Sequence, residues 1–377
     1  MQIRDYRIER ADDGCTVSAI VGSSRVYYRI INGDCSDVLG DPFVIAGLVP
    51  AMEQGSPLSI DPGIPVSSRL IENLGRFQEI YARWYPHLQR VAIVAPRRVD
   101  PRARTGKVGC FNSGGVDSLY SALRHRDAIT HFVLCQGLDI SLKEGDRWAR
   151  TVERVGKVAH ELGKRLVLLE TNVKQQLTGS RTDNHGAILA STAPLLGLDT
   201  IIVPSSLEES ELGMAWGSHP LTDPLLSSDW TAVFYDETAT RTRKLEFIVE
   251  SRIGLDQLRV CNRHSDYNCG SCEKCLRTMV TMDALGAASA ALPRFHPRML
   301  RAINLWHQPQ HGFWQSILEL ARQRGRKDIA GEVQRLLGDY RRRERLRNLD
   351  ARYLGGSLLR IKRRLWPLEH GRRARQQ

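Results

Sequence analysis

Residues 107–123 read Lys107-Val-Gly-Cys-Phe-Asn-Ser-Gly-Gly-Val-Asp-Ser-Leu-Tyr-Ser-Ala-Leu123. The apolar run over residues 107–111 predicts a short strand, and the apolar periodicity that starts near Ser118 predicts a helix. Between them lies a turn that contains Gly114 and Gly115. Adjacent glycines adopt backbone angles that other residues avoid, and they let the main chain approach a ligand closely. The stretch therefore predicts a strand, a glycine-rich turn and a helix in direct succession.

The turn has the composition of an anion-binding loop. Backbone N–H groups converge where a helix begins, and the helix dipole adds partial positive charge there. Ser113 and Ser118 add hydroxyl donors, so residues 113–118 suit a pyrophosphate group. The Walker pattern is absent, because no Gly-Lys-Ser/Thr follows at the required spacing. By average residue usage, Ser-Gly-Gly-any-Asp-Ser is expected by chance in roughly one such chain per thousand, which favours nucleotide phosphates over an ordinary capped turn.

The pattern of residues 113–118 resembles the signature of the PP-loop ATP pyrophosphatases, the adenine nucleotide alpha-hydrolase-like enzymes. The resemblance implies that ATP is cleaved between its α and β phosphates with Mg²⁺ on the phosphates, and that AMP is left on the substrate. It implies that adenine lies against the end of the second strand, at Gln136 and Gly137. The residues it assigns to the nucleotide are Ser113, Gly114, Gly115, Val116, Asp117 and Ser118, of which Asp117 and Ser118 also take catalytic roles.

From residue 105 onward, strand-like and helix-like patterns alternate. The strand-like runs cover residues 107–111, 130–135, 165–170 and 200–204, and the helical patterns cover residues 118–126, 146–162 and 186–196. This alternation predicts an α/β fold with a doubly wound, mainly parallel sheet. Ligands of such sheets bind at the carboxyl ends of the strands. We therefore expect the turn, Cys135-Gln136-Gly137 and Pro204-Ser205-Ser206 to surround one crevice.

Four clustered cysteines form a second motif. Cys261, Cys269, Cys272 and Cys275 follow the spacing C-x7-C-x2-C-x2-C. Four thiolates this close can complete a tetrahedral shell around Zn²⁺. Iron–sulfur ligation is the alternative, but no proline follows the last cysteine and no second ferredoxin-like set exists, so the ligand pattern favours zinc. A complete shell leaves no open coordination position, and we therefore expect a structural zinc knuckle.

A PP-loop followed by a four-cysteine knuckle resembles the 7-cyano-7-deazaguanine synthases of the queuosine pathway, the QueC-like proteins. This resemblance covers residues 105–285 and leaves both ends of the chain unexplained. It implies an ATP-dependent carbon–nitrogen ligase that adenylates the carboxylate of a deazaguanine-type acid and releases pyrophosphate. Ammonia then attacks, which gives an amide and finally a nitrile, whereas another amine would give a substituted amide. Extended relatives serve bacterial defence and natural-product pathways, so the acid, the amine and the pathway stay open.

The loop after the fourth strand is the predicted substrate region. Glu208, His219 and Asp223 lie in a stretch rich in Gly, Pro, Asp and His, and loops after strand ends commonly carry substrate or Mg²⁺ ligands. A turn or capping role is the alternative for each of them. Lys244 lies in the basic stretch 240–244, where a cation fits charge stabilisation of the leaving pyrophosphate. The alternative for Lys244 is a solvated helix start.

Composition and segment boundaries complete the sequence-based predictions. We predict a small α+β domain over residues 1–104, the PP-loop domain over 105–285, a helical extension over 286–340 and a basic amphipathic tail over 341–377. The net charge of +12 is concentrated in that tail, which carries 13 Arg and Lys residues against three acidic ones. Positive charge confined to a tail supports RNA binding only weakly, whereas positive charge spread over the rest of the chain would have indicated an RNA-binding enzyme. It could dock on an acidic protein, on RNA phosphates or on a membrane surface.

Bulk properties predict a cytoplasmic protein. The 377 residues are 42% hydrophobic and 25% charged, no apolar run is long enough to span a membrane, and Met1-Gln2-Ile3-Arg4-Asp5 does not begin a signal peptide. In a reducing compartment the eight cysteines would serve as thiols or metal ligands rather than as disulfides.

Two alternative functions are a tRNA-modifying PP-loop enzyme of the thiolation type, with Cys110 or Cys135 available, and a catalytically silent nucleotide-binding partner in a complex. A homodimer is an open alternative for the assembly.

Overall fold

A computed structural model describes residues 1–35, 40–99, 103–178, 183–205, 212–213, 215–236, 239–261, 263, 267–306, 308–355 and 357. The chain forms two compact units, Met1–Ala239 and Thr240–Gln377. Within the described residues, no helix combines the length and the apolar character that crossing a membrane requires.

The first part of unit one is an antiparallel meander followed by two helices. Its elements are β1 (Gln2–Ala11), β2 (Gly14–Val21), β3 (Ser24–Ile30), α1 (Asp41–Gln54), β4 (Leu58–Ile60), β5 (Val66–Ser67), α2 (Ser68–Trp84), β6 (Ile93–Val94) and β7 (Arg98–Val99). The β-rich runs over residues 16–21 and 24–30, which Gly22-Ser23 separates, predict a hairpin. The structure confirms it as the turn between β2 and β3, where Gly22 has a φ of 64°. Alternating burial along β2 and β3 directs their apolar side chains to one face.

The second part of unit one alternates strands and helices. Its elements are β8 (Val108–Phe111), α3 (Val116–Arg124), β9 (His131–Gln136), α4 (Gly145–Glu161), β10 (Arg165–Thr171), α5 (His185–Ala190), β11 (Thr200–Val203) and β12 (Ala232–Tyr235). The strand predictions for this region are confirmed to within a residue or two. The helix predicted over residues 186–196 is wrong in length, because α5 ends at Ala190 and a 3₁₀ turn at Ala193–Leu196 contains Pro194, which cannot continue the α-helical hydrogen bonds.

One ten-stranded, mostly parallel sheet runs through unit one in the order β12-β11-β8-β9-β10-β3-β2-β1-β4-β6. The five strands from β12 to β10 are mutually parallel and flanked by helices, as in a Rossmann-like wound sheet. The predicted α/β class is therefore confirmed. From β8 the chain moves to β9 and β10 on one side, whereas β11 and β12 lie on the other. This reversal puts the topological switch point at the carboxyl ends of β8 and β11.

The meander continues the same sheet. β3 pairs antiparallel with β10, opposite residues being Ile30 and Leu169, and the Tyr27 hydroxyl donates to Glu170 Oε1 at 2.7 Å. Residues 1–104 thus share a sheet and a buried core with the residues that follow. We predicted a separate α+β domain ending at residue 104, whereas the structure divides after Ala239.

Two further features of residues 1–60 differ from expectation. Residues 41–54, for which the sequence shows no amphipathic pattern, form α1, and twelve of its residues are buried. A helix apolar on all sides carries no amphipathic period to detect, and Pro50 inside it reads as a breaker. In addition, Cys15 and Cys35 form a disulfide bond, so the expectation that every cysteine serves as a thiol or metal ligand was wrong for this pair.

Unit two is helical. It contains α6 (Arg241–Ser251), α7 (Glu273–Ala284), α8 (Gln308–Gln323) and α9 (Lys327–Leu354). Trp314 and Ile317 of α8 and Val333 and Leu336 of α9 are fully buried, as their helical spacing predicts. Residues 341–354 of the predicted basic tail belong to α9. Residues 356 and 358–377 lie outside the described residues.

Candidate functional site

The predicted phosphate-binding turn lies directly after β8, at the switch point of the sheet. The backbone nitrogen of Asn112 donates to the carbonyl of Val133 at 2.9 Å, which continues the β8–β9 ladder by one residue. Gly114 then adopts a φ of 75°, a left-handed conformation that favours glycine. Gly115 is extended and precedes the first residue of α3. The chain thus reverses from strand to helix within four residues.

The helix begins at Val116, two residues earlier than predicted. The first N–H groups of a helix have no intrahelical acceptor, so α3 directs donors and a positive dipole end at the turn. Ser113, Gly114, Gly115 and Asp117 are partly exposed there. A pyrophosphate group could therefore reach the backbone of the turn from solvent.

Ser118 has a different environment from the one we predicted. Its side chain is buried, and its hydroxyl lies 3.1 Å from the carbonyl oxygen of Gly115 and 3.3 Å from Oδ1 of Asn112. These contacts stabilise the strand-to-helix turn from inside. The hydroxyl group that we assigned to the nucleotide thus has partners within the turn.

Asn112 is a residue that the sequence pattern missed. Its Oδ1 atom accepts from the backbone nitrogen of Gly114 at 2.9 Å, and the side chain is 2% exposed. Its Nδ2 atom is buried and has no hydrogen-bond partner in the described structure. An unsatisfied buried amide is costly, so such groups call for a functional or structural explanation. The sequence contains one signal that could have indicated its role: Asn112 is a polar residue at the end of an apolar strand, one position before the six-residue pattern.

Gln136 and Gly137 lie at the carboxyl end of β9, which is the neighbour of β8 in the sheet. Gly137 has a φ of 94°, and a Cβ atom there would lie 1.8 Å from the carbonyl oxygen of Thr171. Close backbone packing against the end of β10 therefore requires this glycine. The Gln136 side chain donates from Nε2 to the Ser141 carbonyl at 3.3 Å. Both residues lie at the predicted edge of the sheet, and both have contacts within the protein.

A cluster around Asp236 was also missed by sequence reasoning. Asp236 follows β12, and its buried carboxylate accepts from the Ser121 hydroxyl and contacts His125 Nε2 at 2.7 Å. Ser121 lies on α3, and His125, one turn later, is the residue that caps the carboxyl end of that helix. The cluster therefore fixes α3, and with it the turn at its start, against the end of β12. Its three residues are spread over more than a hundred positions, so no local motif could have indicated it.

Two of the three predicted substrate residues lie inside the protein. His219 is 1% exposed, and its Nδ1 atom accepts from the Leu221 nitrogen at 3.1 Å while its Nε2 atom lies 2.6 Å from the Leu212 carbonyl. Its ring packs edge-on against Trp84. These hydrogen bonds correspond to the alternative of a turn role, because Leu212 and Leu221 lie in the same loop as His219.

Asp223 has a similar role. Its carboxylate accepts from the Ser218 hydroxyl at 2.6 Å and from the His219 nitrogen at 3.1 Å. Burial raises the pKa of Asp223 to about 7, although the Ser218 hydrogen bond opposes the shift. Within the described residues, no hydrogen bond links His219 or Asp223 to the Ser-Gly-Gly turn. Glu208, the third predicted substrate residue, lies outside the described residues.

The four predicted metal ligands come together in unit two. The Sγ atoms of Cys261, Cys269, Cys272 and Cys275 all lie within 4.8 Å of one another. The Cys269–Cys275 and Cys261–Cys272 pairs are each 3.9 Å apart. Zinc–sulfur bonds of about 2.3 Å in a tetrahedron imply sulfur–sulfur distances of roughly 3.8 Å. The cluster therefore has the size of a four-thiolate site that could hold a metal such as zinc.

Backbone groups orient these thiols. The Cys272 nitrogen donates to Cys269 Sγ at 3.3 Å, and the Cys275 nitrogen donates to Cys272 Sγ at 3.5 Å. Gly270, which lies between Cys269 and Cys272, has a φ of 67°. A Cβ atom there would lie 2.3 Å from Pro293 Cγ, so only glycine fits this turn. N–H donors to sulfur favour the thiolate form that binds metal.

Lys244 lies in α6 of unit two and is 2% exposed. Thr240 precedes the helix, and its Oγ1 atom accepts from the Arg243 nitrogen at 3.3 Å, which makes it the N-cap. The alternative of a solvated helix start is therefore wrong for Lys244, because the side chain is buried. Its predicted action on pyrophosphate stays a prediction.

Comparisons of the chain with protein-family models, with curated proteins and with solved structures found no match. A function is therefore proposed from the residues and their geometry.

Proposed function

We propose that the protein is an ATP-dependent carbon–nitrogen ligase of the QueC-like type, which adenylates a carboxylate and then transfers the acyl group to nitrogen. One observation carries the proposal: the Ser-Gly-Gly-Val-Asp-Ser turn joins β8 to α3 at the switch point of a wound parallel sheet. Wound sheets bind their ligands at this point. The sequence pattern and the topology, which are independent of each other, support the same location for the phosphates.

The groups of the turn suit the charge that develops during adenylation. A carboxylate oxygen of the substrate attacks the α-phosphorus, the bond to the bridging α–β oxygen breaks, and pyrophosphate leaves. The amides of Gly115 and of the start of α3 would hold the phosphates, and Gly114, which has no side chain, would let the backbone approach them closely. Asn112 would keep the turn in the shape that binds them, since its Oδ1 atom already bonds the Gly114 amide. Mg²⁺ would neutralise phosphate charge, and Asp117 is the partly exposed carboxylate of the turn that would ligate it.

In the second step nitrogen attacks the acyl carbon of the adenylate. The carbon–oxygen bond to AMP breaks, AMP leaves, and the nitrogen loses a proton to solvent, which gives an amide. The resemblance to 7-cyano-7-deazaguanine synthases supports a deazaguanine-type acid and ammonia as the reactants. Zinc on the four cysteines would have a structural role, because four thiolates leave no coordination position for water.

The proposal is tested by incubating the protein with ATP, Mg²⁺ and a deazaguanine carboxylate, with and without ammonia, and analysing the products by mass spectrometry. We expect AMP and pyrophosphate, and an amide or a nitrile when ammonia is present. Asp117→Ala should abolish AMP formation while leaving the circular dichroism spectrum and the zinc content unchanged. AMP release that persists in this variant would contradict the assignment. ATP binding without AMP formation from any acid would instead support a silent nucleotide-binding partner.

The thiolation alternative requires a reactive thiolate near the phosphates. Cys110 is 0% exposed, and burial raises the pKa of its thiol well above the usual range. Burial, together with the charges of Asp139 and Glu170, also raises the pKa of Cys135. Both shifts favour the unreactive thiol form. They favour ligase chemistry over thiolation.

A further inference from the structure

The carboxyl-terminal half of α9 carries an exposed apolar stripe. Leu346, Leu349 and Tyr353 are 60%, 52% and 68% exposed. Their spacing of three and four residues puts them on one face of the helix. Earlier in α9, Val333 and Leu336 are fully buried in unit two. At about 100° per residue, the stripe lies on roughly the opposite side of the helix from these buried residues.

Arginines flank the stripe. Arg341, Arg342, Arg345 and Arg352 are exposed on the same half of the helix. Earlier in α9, by contrast, Arg335 pairs with Glu332 at 3.0 Å and with Asp339 at 3.1 Å. In the part of the chain that the structure describes, no carboxylate forms an ion pair with Arg341, Arg342 or Arg345. This end of α9 therefore presents apolar side chains and uncompensated positive charge together.

We propose that this face of α9, formed by Leu346, Leu349, Tyr353 and the flanking arginines, binds the surface of a membrane that contains anionic lipids. Leucine and tyrosine side chains gain free energy when they enter the boundary between headgroups and acyl chains, and arginines gain by approaching anionic headgroups. The sequence that follows, Leu358-Leu-Arg-Ile-Lys-Arg-Arg-Leu-Trp366, has the same mixture of basic and apolar residues. The proposal does not depend on the ligase assignment.

Two other occupants fit these observations less well. Nucleic acid would use the arginines, but exposed leucines gain nothing from phosphates. Binders of single strands stack successive bases on several aromatic rings, whereas this face of α9 has one, Tyr353. A second copy of this chain could cover the leucines. It would, however, bring together two segments that each carry 13 basic residues against three acidic ones over residues 341–377. An anionic lipid surface satisfies the apolar stripe and the charge at once.

Vesicle sedimentation of the full chain tests the proposal. We expect binding to vesicles of phosphatidylcholine mixed with phosphatidylglycerol, little binding to phosphatidylcholine alone, and weaker binding as salt is raised. The double variant Leu346→Gln/Leu349→Gln should bind at least about tenfold more weakly, since it removes two apolar side chains without changing charge. Val94→Gln is the matched control for Leu349→Gln, because both side chains are 52% exposed.

Two further variants test how much the arginine charges contribute to vesicle binding. Arg342→Gln/Arg345→Gln should weaken binding by roughly fivefold per arginine. Arg76→Gln/Arg83→Gln, which removes two exposed arginines from α2, should not change it. The proposal is overturned if the chain does not bind anionic vesicles, or if the α9 variants bind them as well as the unmodified chain does. It is also overturned if gel filtration shows a dimer that Leu346→Gln/Leu349→Gln dissociates and vesicles are not bound, or if RNA is bound and vesicles are not.

Discussion

Oδ1 of Asn112 lies 2.9 Å from the backbone nitrogen of Gly114, and this hydrogen bond closes the turn between β8 and α3. The same oxygen lies 3.3 Å from the hydroxyl of Ser118. A single buried side chain thus bonds both Gly114 and Ser118, the second and the last residue of the Ser-Gly-Gly-Val-Asp-Ser pattern. The phosphate-binding shape proposed for the turn depends on a residue outside that pattern.

Replacing Asn112 by alanine should weaken both the fold and nucleotide binding. The variant leaves the Gly114 amide and the Ser118 hydroxyl without this acceptor, which should lower the free energy of unfolding by about 1–3 kcal/mol. Urea denaturation and ATP titration calorimetry measure the two effects. Asn32→Ala is the control, because the Asn32 side chain likewise makes two hydrogen bonds, to the backbone of Leu166 and Leu168, but is exposed. An Asn112→Ala variant that binds ATP normally would contradict the positioning role.

Gly114→Ala should destabilise the protein by about 1–2 kcal/mol, because a Cβ atom is unfavourable at a φ of 75°. ATP binding should weaken with it. Gly145→Ala provides the comparison: that glycine lies in the first turn of α4, and a Cβ atom there meets nothing within 4 Å. Denaturation midpoints should fall for the first variant and stay level or rise for the second. Equal midpoints for the two variants would mean that the turn tolerates a side chain.

The cysteine cluster should hold a single zinc ion per chain. Cys272→Ser or Cys275→Ser should lose zinc, as measured by plasma mass spectrometry of the purified protein, and should lower the melting temperature of unit two. Cys135→Ser, which lies outside the cluster, should keep the full zinc content. Iron in place of zinc, with visible absorption from a cluster, would instead support the iron–sulfur alternative.

Asp41 should make stability depend on pH. Burial raises its pKa to about 7 from an ordinary value of 3.8. Between these two values the unfolded chain has released the proton while the folded chain holds it, so the free energy of unfolding falls as pH rises. The slope should be about 1.4 kcal/mol per pH unit for each such group, and its contribution should level off above pH 7. Asp223, with a pKa also raised to about 7, adds a slope of the same sign.

The variant Asp41→Asn stays neutral at every pH and should remove its share of this slope. It keeps an oxygen that can accept from the Ser67 nitrogen, now 2.8 Å from Asp41 Oδ1. Chemical denaturation at several values between pH 4 and pH 8 measures the difference. Asp127→Asn, at a side chain that is 99% exposed, should leave the slope unchanged. An identical pH profile for Asp41→Asn and the unmodified protein would show that Asp41 does not titrate in this range.

Local patterns predicted the features that depend on neighbouring residues. The strand, turn and helix at residues 107–123, the β2–β3 hairpin and the four-cysteine cluster each have a signature within a few positions, and each is present in the structure. Helix α1 was missed because it is apolar on every side. The pairing of β3 with β10 was missed because strand partners distant in sequence leave no local signal.

Local sequence patterns also failed to indicate parts of the candidate site. Asn112 was missed by one position, since the signature begins at Ser113. Asp236 was missed because its partners Ser121 and His125 lie more than a hundred residues away. His219 and Asp223 were selected for their chemistry, but the sequence does not indicate that both are buried. Burial is decided by tertiary packing, and residue type in a loop predicts it poorly.

Which bond of ATP breaks is the most direct test of the central claim. The measurement is exchange of labelled pyrophosphate into ATP, with the protein, Mg²⁺ and a deazaguanine carboxylate but no ammonia, together with analysis of the nucleotide products. Reversible cleavage between the α and β phosphates predicts acid-dependent exchange and AMP as the nucleotide product, both lost in Asp117→Ala. Formation of ADP and inorganic phosphate without exchange would contradict the account.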